Sequence, residues 1–339
     1  MEFTHLHVHS HYSVLDGMSK VPALVDKCIS TGMHAIALTD HGNMCGVKEL
    51  FDYSKKINKE GTIFKPIAGV EAYCARRSRH SQTSEEAVNG EGRKYLIDRS
   101  GWHLILLAKN KQGYKNLCKL VSYSYMDDAF NYHPRIDKEL LEQYHEGLIC
   151  SSACLGGEIP QKILSAYHES EKLKVESEKF ARRAKVESSP EGLKLRVEAL
   201  VEEGVFREAE EAVKWFKELF GADYYLELQR HQTEKPGGEQ STYQHQLLVN
   251  PVLIALAQKY GIRVIATNDA HFLNEENAEA HDHLICVSTN HYIDDTDRLH
   301  YTKQEWLKTP EEMYAIFKDI PEALTNTQEI VDKVEIYDI

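Results

Sequence analysis

Short apolar runs alternate along the 339-residue chain with segments in which apolar residues return every three or four positions. Apolar runs of this kind are typical of buried strands, and the three-to-four spacing is typical of amphipathic helices. The runs predict strands at residues 6–8, 35–39, 64–70, 103–108, 147–150, 225–228 and 263–267. The intervening segments predict helices that include residues 22–30, 47–56, 114–123, 138–144 and 243–260.

The alternation of strand and helix predicts an α/β fold with parallel strands inside and helices outside. Seven such repeats favour a closed or nearly closed barrel over an open doubly wound sheet, although the sequence does not decide closure. Pro251 should kink or restart the helix at 243–260, because proline lacks the amide hydrogen of an interior turn.

Polar residues with metal-binding side chains follow or begin most of the predicted strands. In barrels of this type, chemistry collects at the carboxyl ends of the strands. Imidazole, carboxylate and thiolate ligands together suit zinc or a similar borderline ion, whereas an all-oxygen set would have indicated magnesium. The residues at these strand ends are Asp40, His41, Glu71, His103, Cys154, Asp269 and His271.

The segment "FTHLHVHSHYS" places histidines at four alternate positions, 5, 7, 9 and 11. Residues two apart share one face of a strand, so these imidazoles could point the same way and two of them could grip one ion. A half-exposed strand that shows its histidines to water is the alternative.

Composition and charge exclude several classes of protein. The hydrophobic fraction is 42%, and no apolar run approaches the roughly 18 to 20 residues of a membrane helix, so we expect a globular, cytoplasmic protein. The seven cysteines are scattered and never spaced CxxC, which argues against a disulfide framework or a zinc ribbon. A net charge of −13 argues against a free-standing module that binds nucleic acid through bulk electrostatics. The conspicuous basic cluster "RRSRH" at 76–80 could be a solvated loop or a phosphate contact.

The ordered motifs "HLHVHSHYSVLDG", "ALTDHGN", "AGVEAY", "WHLILLAKN", "CLGGEIP" and "ATNDAHF" resemble the polymerase and histidinol phosphatase (PHP) family. The segment "YTKQEWLKTPEEM" favours the branch found in bacterial DNA polymerase III alpha subunits. The resemblance implies a distorted (β/α)7 barrel that holds three divalent metal ions, with zinc favoured and manganese or iron as alternatives.

The resemblance also implies the ligands of this centre. One ion would take His7, His9, Glu71 and Asp269, a second Glu71, His103 and Cys154, and a third Asp16, His41 and His271. His5 and His11 match no ligand and are expected to face solvent or to support the ligands. Asp40 is expected to orient a ligating imidazole rather than to bind metal.

A centre of this kind suits phosphoester hydrolysis by a metal-activated water, without a separate side-chain base. The polymerase-like motifs favour a 3′ to 5′ exonuclease that proofreads DNA, with the DNA 3′ end, the remaining polymerase domains and replisome subunits as partners. A catalytically silent, metal-stabilised structural module and a small-molecule phosphomonoesterase are the alternatives. Candidate phosphate contacts are Arg76, Arg79, Arg135 and His231.

The expected organisation is a barrel over residues 1–166 and 212–290, a helical insertion over 167–211, and a C-terminal extension over 291–339 that packs on the barrel and leads toward a polymerase palm. The insertion has no recognised counterpart in the family, and its Ser188-Ser189-Pro190-Glu191 segment reads as a helix start. Because polymerase relatives continue far beyond residue 339, we expect an excised domain that does not extend DNA itself.

Overall fold

The computed structural model describes residues 2–88, 90–92, 94–169 and 197–339. Its strands are β1 (Ala35–Leu38), β2 (Lys65–Ala75), β3 (Glu86–Val88), β4 (Lys94–Leu96), β5 (Gly101–Ala108), β6 (Arg135–Ile136), β7 (Leu148–Ser151), β8 (Tyr224–Leu228) and β9 (Arg263–Ala266). Its helices are α1 (Val21–Ser30), α2 (Val47–Lys59), α3 (Lys111–Ser124), α4 (Lys138–Tyr144), α5 (Glu158–Glu169), α6 (Arg207–Phe220), α7 (Ser241–Tyr260), α8 (Ala278–Thr289), α9 (Pro310–Ile316) and α10 (Pro321–Lys333).

One curled sheet of seven strands forms the centre, in the order β1, β2, β5, β7, β8, β9, with the short β6 also paired to β2. The predicted fold class, a distorted α/β barrel, is confirmed. The expectation of purely parallel strands is wrong at β5, which runs antiparallel to both β2 and β7. The small β3–β4 hairpin lies outside this sheet.

The N-terminal segment joins the two edge strands of the sheet. On one side Ala37 N donates to His5 O at 3.0 Å, and on the other His9 N donates to Ala270 O at 2.8 Å. The expected strand at 6–8 is therefore an extended segment between β1 and the end of β9, paired there through the parallel bridge Val8–Ala270. These bonds curl the sheet into a barrel and place His7 and His9 inside it.

The direction of β5 explains how a residue at the start of a strand reaches the rim formed by the carboxyl ends of its neighbours. His103 is paired with Tyr73 and Ile105 with Glu71, so the beginning of β5 lies beside the carboxyl end of β2. An antiparallel strand presents its first residues where parallel neighbours present their last. His103 therefore shares a rim with His41 and Glu71, which form a bridge of their own.

Alternate residues of the strands pack into two apolar layers. One layer faces the outer helices, and the other fills the barrel interior together with Ile330 and Val331 of α10 and Val334, which follows it. Lys65 Nζ donates to Val331 O at 2.8 Å and to Val334 O at 2.9 Å. The end of α10 thus seals the barrel at the end opposite the rim that carries His41.

The predicted helices are present, four of them with longer boundaries and the one at 138–144 as predicted. Pro251 lies inside α7, which continues across it from Ser241 to Tyr260 without restarting. Of the expected insertion, residues 170–196, including the Ser188-Pro190 helix start, lie outside the described residues. The part that follows is packed into the main core through Val197, Leu200, Val201 and Phe206. Among the described residues, no helix has the length and apolar character needed to cross a membrane.

Thr39 ties the histidine-bearing segment to β1. Its hydroxyl accepts from Val8 N at 2.8 Å and donates to Val8 O at 3.1 Å, and all of these groups are buried. Thr39→Val keeps the shape but leaves the Val8 amide without a partner, so we expect it to lower the free energy of unfolding by about 1–3 kcal/mol. Urea unfolding measures this, with Thr39→Ser, which keeps the hydroxyl, as the matched control. Equal losses in the two variants would contradict the role of the hydroxyl.

Candidate metal centre

The nine side chains implied as ligands converge on one rim of the barrel. A cleft of about 210 Å³ opens over them. Three groups have ligand atoms within 4.8 Å of one another: His7, His9 and Asp269; His9, His41 and His271; and Glu71, His103 and Cys154. The cluster is drawn from six segments that are distant in the chain.

Glu71 lies at the middle of the cluster and is 1% exposed. Its Oε1 is 3.3 Å from His7 Nε2 and 2.9 Å from His103 Nδ1. Its Oε2 is 3.4 Å from His9 Nε2 and 2.7 Å from His41 Nδ1. One carboxylate therefore faces four imidazoles, which is the geometry expected of a bridging ligand.

Asp269 and Cys154 complete two of the groups. Asp269 Oδ1 lies 3.0 Å from His7 Nε2 and 3.3 Å from His9 Nε2. Cys154 Sγ lies 3.5 Å from His103 Nδ1 and 3.8 Å from Glu71 Oε1.

The third group differs slightly from the set implied by the family resemblance. Asp16 Oδ2 is 2.7 Å from His41 Nε2 and 3.4 Å from His271 Nε2, so these three side chains do meet. The tightest grouping of ligand atoms around His41 and His271, however, includes His9 instead of Asp16. His9 lies between the two, with its ring stacked on both.

Several buried atoms in this cluster have no hydrogen-bond partner among the described residues. They are His7 Nε2, His9 Nε2, His41 Nδ1, Glu71 Oε2 and Asp269 Oδ1. Buried polar atoms are rarely left unpaired in proteins, and each unpaired one costs about 1–3 kcal/mol. Here the atoms face one another as a set of nitrogen and oxygen donors. The cluster therefore fits divalent cations.

Electrostatics within the cluster shift several pKa values. Burial alone would lower the pKa of His7, but Asp269, Glu227 and Glu71 raise it well above its usual value. Against the same effect of burial, Asp16 raises the pKa of His271 to about 9. Burial and the neighbouring His41 and His271 lower the pKa of His9 to about 3.

The thiol and carboxyl groups are shifted as well. Burial, followed by Glu71 and Asp269, raises the pKa of Cys154 well above its usual value. Burial would also raise the pKa of Glu71, but His103, His41 and His7 hold it well below its ordinary range. Imidazoles with raised pKa values, those of His7, His41 and His271, therefore face a carboxylate with a lowered pKa, that of Glu71, across the cluster.

The backbone around the ligands is unusual. Leu15, Ala153 and Asp269 have positive φ angles of 61°, 58° and 47°. Two of these residues precede ligands, and the third is a ligand itself. A Cβ atom on Gly156 would lie 3.0 Å from the ring of His103, so a larger residue there would press on that imidazole. Strain held at this rim is typical of functional sites.

Supporting residues fix the imidazole tautomers. His7 donates its Nδ1 hydrogen to Glu227 Oε1 at 2.7 Å, which leaves Nε2 facing the cluster. Ser13 Oγ donates to Asp40 Oδ1 at 2.8 Å and so must accept from His9 Nδ1 at 2.9 Å. Asp40 was expected to orient an imidazole, and the structure places it on His9 through Ser13, not on the adjacent His41.

Asp16 is positioned by Tyr301, from the segment that follows α8. The Tyr301 hydroxyl donates to Asp16 Oδ1 at 2.8 Å and lies 3.5 Å from His271 Nε2. Burial and then Asp16 raise the pKa of this hydroxyl well above its usual value, so it stays a donor.

The histidines that were not expected to be ligands lie apart from the cluster. His5 is completely buried, and its Nε2 pairs with Lys308 O at 2.8 Å, so the expectation of a solvent-facing side chain is wrong for it. His11 is exposed and its Nδ1 lies 3.2 Å from Ser19 O. His231 lines the cleft, but it is buried and its Nε2 lies 3.2 Å from Asn268 O.

The three arginines proposed as phosphate contacts do not line the cleft. Arg135 is fully buried, and its guanidinium donates to Ala129 O at 3.1 Å and Arg79 O at 2.7 Å. Arg79 pairs with Asp137 at 2.6 Å, and the Arg76 guanidinium lies 3.4 Å over the Trp102 ring. All three have structural roles here, and the assignment as phosphate contacts is corrected.

Sequence reasoning missed Glu227, Tyr301 and His281, whose Nε2 lies 2.9 Å from Asp16 O. Glu227 had a signal: it is a carboxylate inside the apolar run "YYLEL", where all five residues prove to be buried. Tyr301 lies in a segment without apolar periodicity, and its contact with Asp16 depends on chain folding over 285 positions.

Glu227 gives a direct test of this supporting layer. Glu227→Gln removes the charged acceptor of the His7 Nδ1 hydrogen, so we expect divalent metal affinity to fall about 10- to 100-fold. Isothermal titration of chelator-treated protein with Mn²⁺ measures the change. Glu210→Gln is the control, because Glu210 is a mostly buried carboxylate that pairs with Lys259 on the outer helices. Equal affinity of the Glu227 variant and the wild type would contradict the assigned role.

The raised pKa values of His7 and His271 predict that metal binding displaces protons. Protonated imidazoles must lose their protons to bind, so apparent Zn²⁺ affinity should rise about tenfold or more per pH unit between pH 6 and 8. Competition titration with a chromophoric chelator over this range measures the slope, after correction for the chelator's own protonation. A slope near zero would show that the metal-free cluster holds no protons.

Comparison with known proteins agrees with this architecture. The family model described as "PHP domain" matches residues 5–231. The chain is 38% identical over 338 residues to the DNA polymerase III subunit alpha of Borreliella burgdorferi, covering 99% of this chain and 24% of that protein. It is 35% identical to the corresponding subunit of Campylobacter jejuni, with 99% and 23% covered. These alignments extend over residues 167–211.

The chain thus spans about a quarter of the length of the curated relatives it matches. A solved structure from Bifidobacterium adolescentis, described as a candidate metal-dependent phosphoesterase, shares 14% identity at a TM-score of 0.32, covering 80% of this chain and 88% of that one. The family match covers more than half of the chain and contains the histidine, aspartate, glutamate and cysteine positions up to Cys154. The chain belongs to the PHP domain family.

Proposed function

We propose that this chain is the PHP domain of a bacterial replicative DNA polymerase alpha subunit and that it hydrolyses phosphodiester bonds at the 3′ end of DNA. The observation that carries the proposal is the convergence of nine ligand-type side chains around Glu71, with five of their buried polar atoms unpartnered. Each of these five atoms instead lies within 3.4 Å of another ligand atom of the cluster, as in a set of donors that could share cations.

We assign three divalent ions to the cluster. His7, His9, Glu71 and Asp269 would hold one, Glu71, His103 and Cys154 a second, and Asp16, His41 and His271 a third. The mixed nitrogen, oxygen and sulfur donors favour zinc, with manganese or iron as alternatives. Bound here, such ions supply Lewis-acid activation of water and offset the charge on a phosphate ester.

The protein's own groups prepare the site for this chemistry. Glu227 holds His7 in one tautomer, and Ser13 with Asp40 holds His9 in one tautomer. Tyr301 keeps one oxygen of Asp16 occupied, so that the other faces His41. His231 lines the same cleft as the ligands, but its two ring nitrogens are paired with Asn268 O and with Gln246 Nε2, so we assign it no contact with substrate phosphate.

The relatives named DNA polymerase III subunit alpha support DNA as the substrate and proofreading as the purpose. On this proposal the partners are a DNA 3′ end, the polymerase domains that make up the remainder of such subunits, and other replisome subunits. The protein would act in the cytoplasm, and the segment 291–339, whose α10 seals the barrel, would lead to the polymerase palm.

The test is release of nucleotides from 3′-terminal mismatched and single-stranded DNA by the purified chain. We expect His9→Ala to lower kcat/KM at least about a hundredfold, because it removes a ligand and not just a supporting contact. His11→Ala is the matched control, since His11 is two residues away but exposed and outside the cluster. A chelator should abolish the activity and added Mn²⁺ or Zn²⁺ should restore it.

Three outcomes would overturn the proposal. Bound metal that raises thermal stability without any turnover would indicate a structural module. Turnover of phosphomonoesters but not of DNA would indicate a small-molecule phosphatase. Equal activity of the His9→Ala and His11→Ala variants would show that the hydrolysis comes from a contaminant or another site.

A further inference from the structure

A series of aromatic rings leads from the metal cluster to the protein surface. Tyr73 lies 6.0 Å from His41 and 5.3 Å from His103, measured between ring centroids. On its other side Tyr73 stacks on His133 at 4.4 Å with an interplanar angle of 25°. His133 in turn meets the edge of Tyr132 at 4.8 Å. The candidate active site is thus connected by ring contacts to an exposed tyrosine.

Tyr132 combines an unusual backbone conformation with an exposed ring. It has a positive φ of 67°, which is rare for an aromatic residue, and it is 70% exposed. The backbone beside it is fixed, because Asn131 N donates to His133 O at 3.1 Å and buried Arg135 binds Ala129 O. Backbone strain that presents a large ring to solvent beside a reactive centre points to a ligand for the ring.

The surface around Tyr132 is aromatic and of mixed charge. Tyr125 and Phe130 stack at 6.0 Å and are 49% and 43% exposed. The Arg99 guanidinium lies 5.6 Å from the Tyr132 ring, while exposed Asp128 pairs with His80 at 2.8 Å. Mixed charge does not favour neutralisation of a run of phosphates, but ring faces accept bases of any sequence.

We infer that Tyr132 is a stacking platform for an unpaired base of the single-stranded DNA whose 3′-terminal phosphodiester lies at the metal cluster. The inference rests on the proposed function, since it extends that site to the nucleotides a few positions from the cleaved bond. Tyr73 and His133 form the wall between the two places, and Arg99 is available to a phosphate of the same strand. A base inside a duplex has both faces covered by its stacked neighbours, so the platform selects frayed or single-stranded ends.

The experiment measures binding separately from hydrolysis. Fluorescence anisotropy in a chelator compares a labelled oligothymidylate with an oligomer of equal length that carries the same phosphates but lacks bases. We expect wild-type protein to prefer the oligothymidylate, and Tyr132→Ala to weaken its binding about 5- to 150-fold with little effect on the abasic chain. Tyr132→Phe should keep the preference, because it keeps the ring.

Two further variants make the result specific. Tyr132→Asn tests the loss of the ring with a residue that tolerates positive φ, so that a fault in folding does not imitate a fault in stacking. Tyr292→Asn is the control, because Tyr292 is 82% exposed and takes no part in the ring series. In hydrolysis of DNA, Tyr132→Ala should raise KM with little change in kcat, and it should leave a small chromogenic phosphodiester unaffected.

The two proposals can fail separately. If the wild type binds the oligothymidylate and its abasic counterpart equally, or if Tyr132→Ala binds as the wild type does, the stacking inference is wrong even when DNA is hydrolysed. If Tyr132-dependent base preference appears without hydrolysis of any DNA, stacking holds and the proposed exonuclease function fails.

Discussion

The burial of one carboxylate, Glu71, constrains the rest of this barrel. Removing an ionised carboxylate from water is costly unless opposite charge and donors surround it. Four imidazoles lie within 3.4 Å of its two oxygens, and they come from the N-terminal segment, the turn after β1 and the start of β5. The N-terminal segment must therefore join both edge strands, and β5 must run against its neighbours, for the carboxylate to be compensated at all.

The buried cluster around Glu71 also lowers the stability of the fold, and that cost must be offset elsewhere in the structure. Buried donor atoms that face one another, together with positive φ angles at Leu15, Ala153 and Asp269, cost free energy that the remaining structure must supply. This free energy comes from the two apolar layers and from the end of α10, where Ile330, Val331 and the following Val334 close the far end of the barrel. Cations bound at the rim would stabilise the folded state relative to the unfolded chain, because the site exists only in the folded chain.

Much of the fold and the metal-binding residues near the strand ends could be predicted from local patterns, whereas the full set of nine ligands came from the resemblance to the PHP family. Apolar runs located the strands, and His41 follows the carboxyl end of β1 as barrels of this type require, whereas Glu71 lies inside β2, which continues past it to Ala75. The direction of β5 could not be predicted, since an apolar run has the same periodicity in either direction. Glu227 and Tyr301 were missed because their contacts join residues 220 and 285 positions apart. The arginines were misassigned because a sequence does not show whether a guanidinium is already paired with Asp137, bound to carbonyl oxygens or stacked on an aromatic ring.

The pairing of these arginines within the protein limits how a chain with a net charge of −13 could bind a polyanion such as DNA. Arg135 is fully buried against carbonyl oxygens, Arg79 is paired with Asp137, and Arg76 is stacked on Trp102, so these cations are already committed inside the protein. Favourable charge for a phosphate would then come from cations at the Glu71 cluster, which is local and does not extend along a strand. Beyond the reacting phosphate, Arg99 is the one cation that we assign to the strand, so the remaining affinity would come from uncharged contacts. Binding would then depend less on salt than binding through rows of lysine and arginine does. A site built in this way favours a short, unpaired end over a long duplex, since a duplex offers its phosphates but hides its bases.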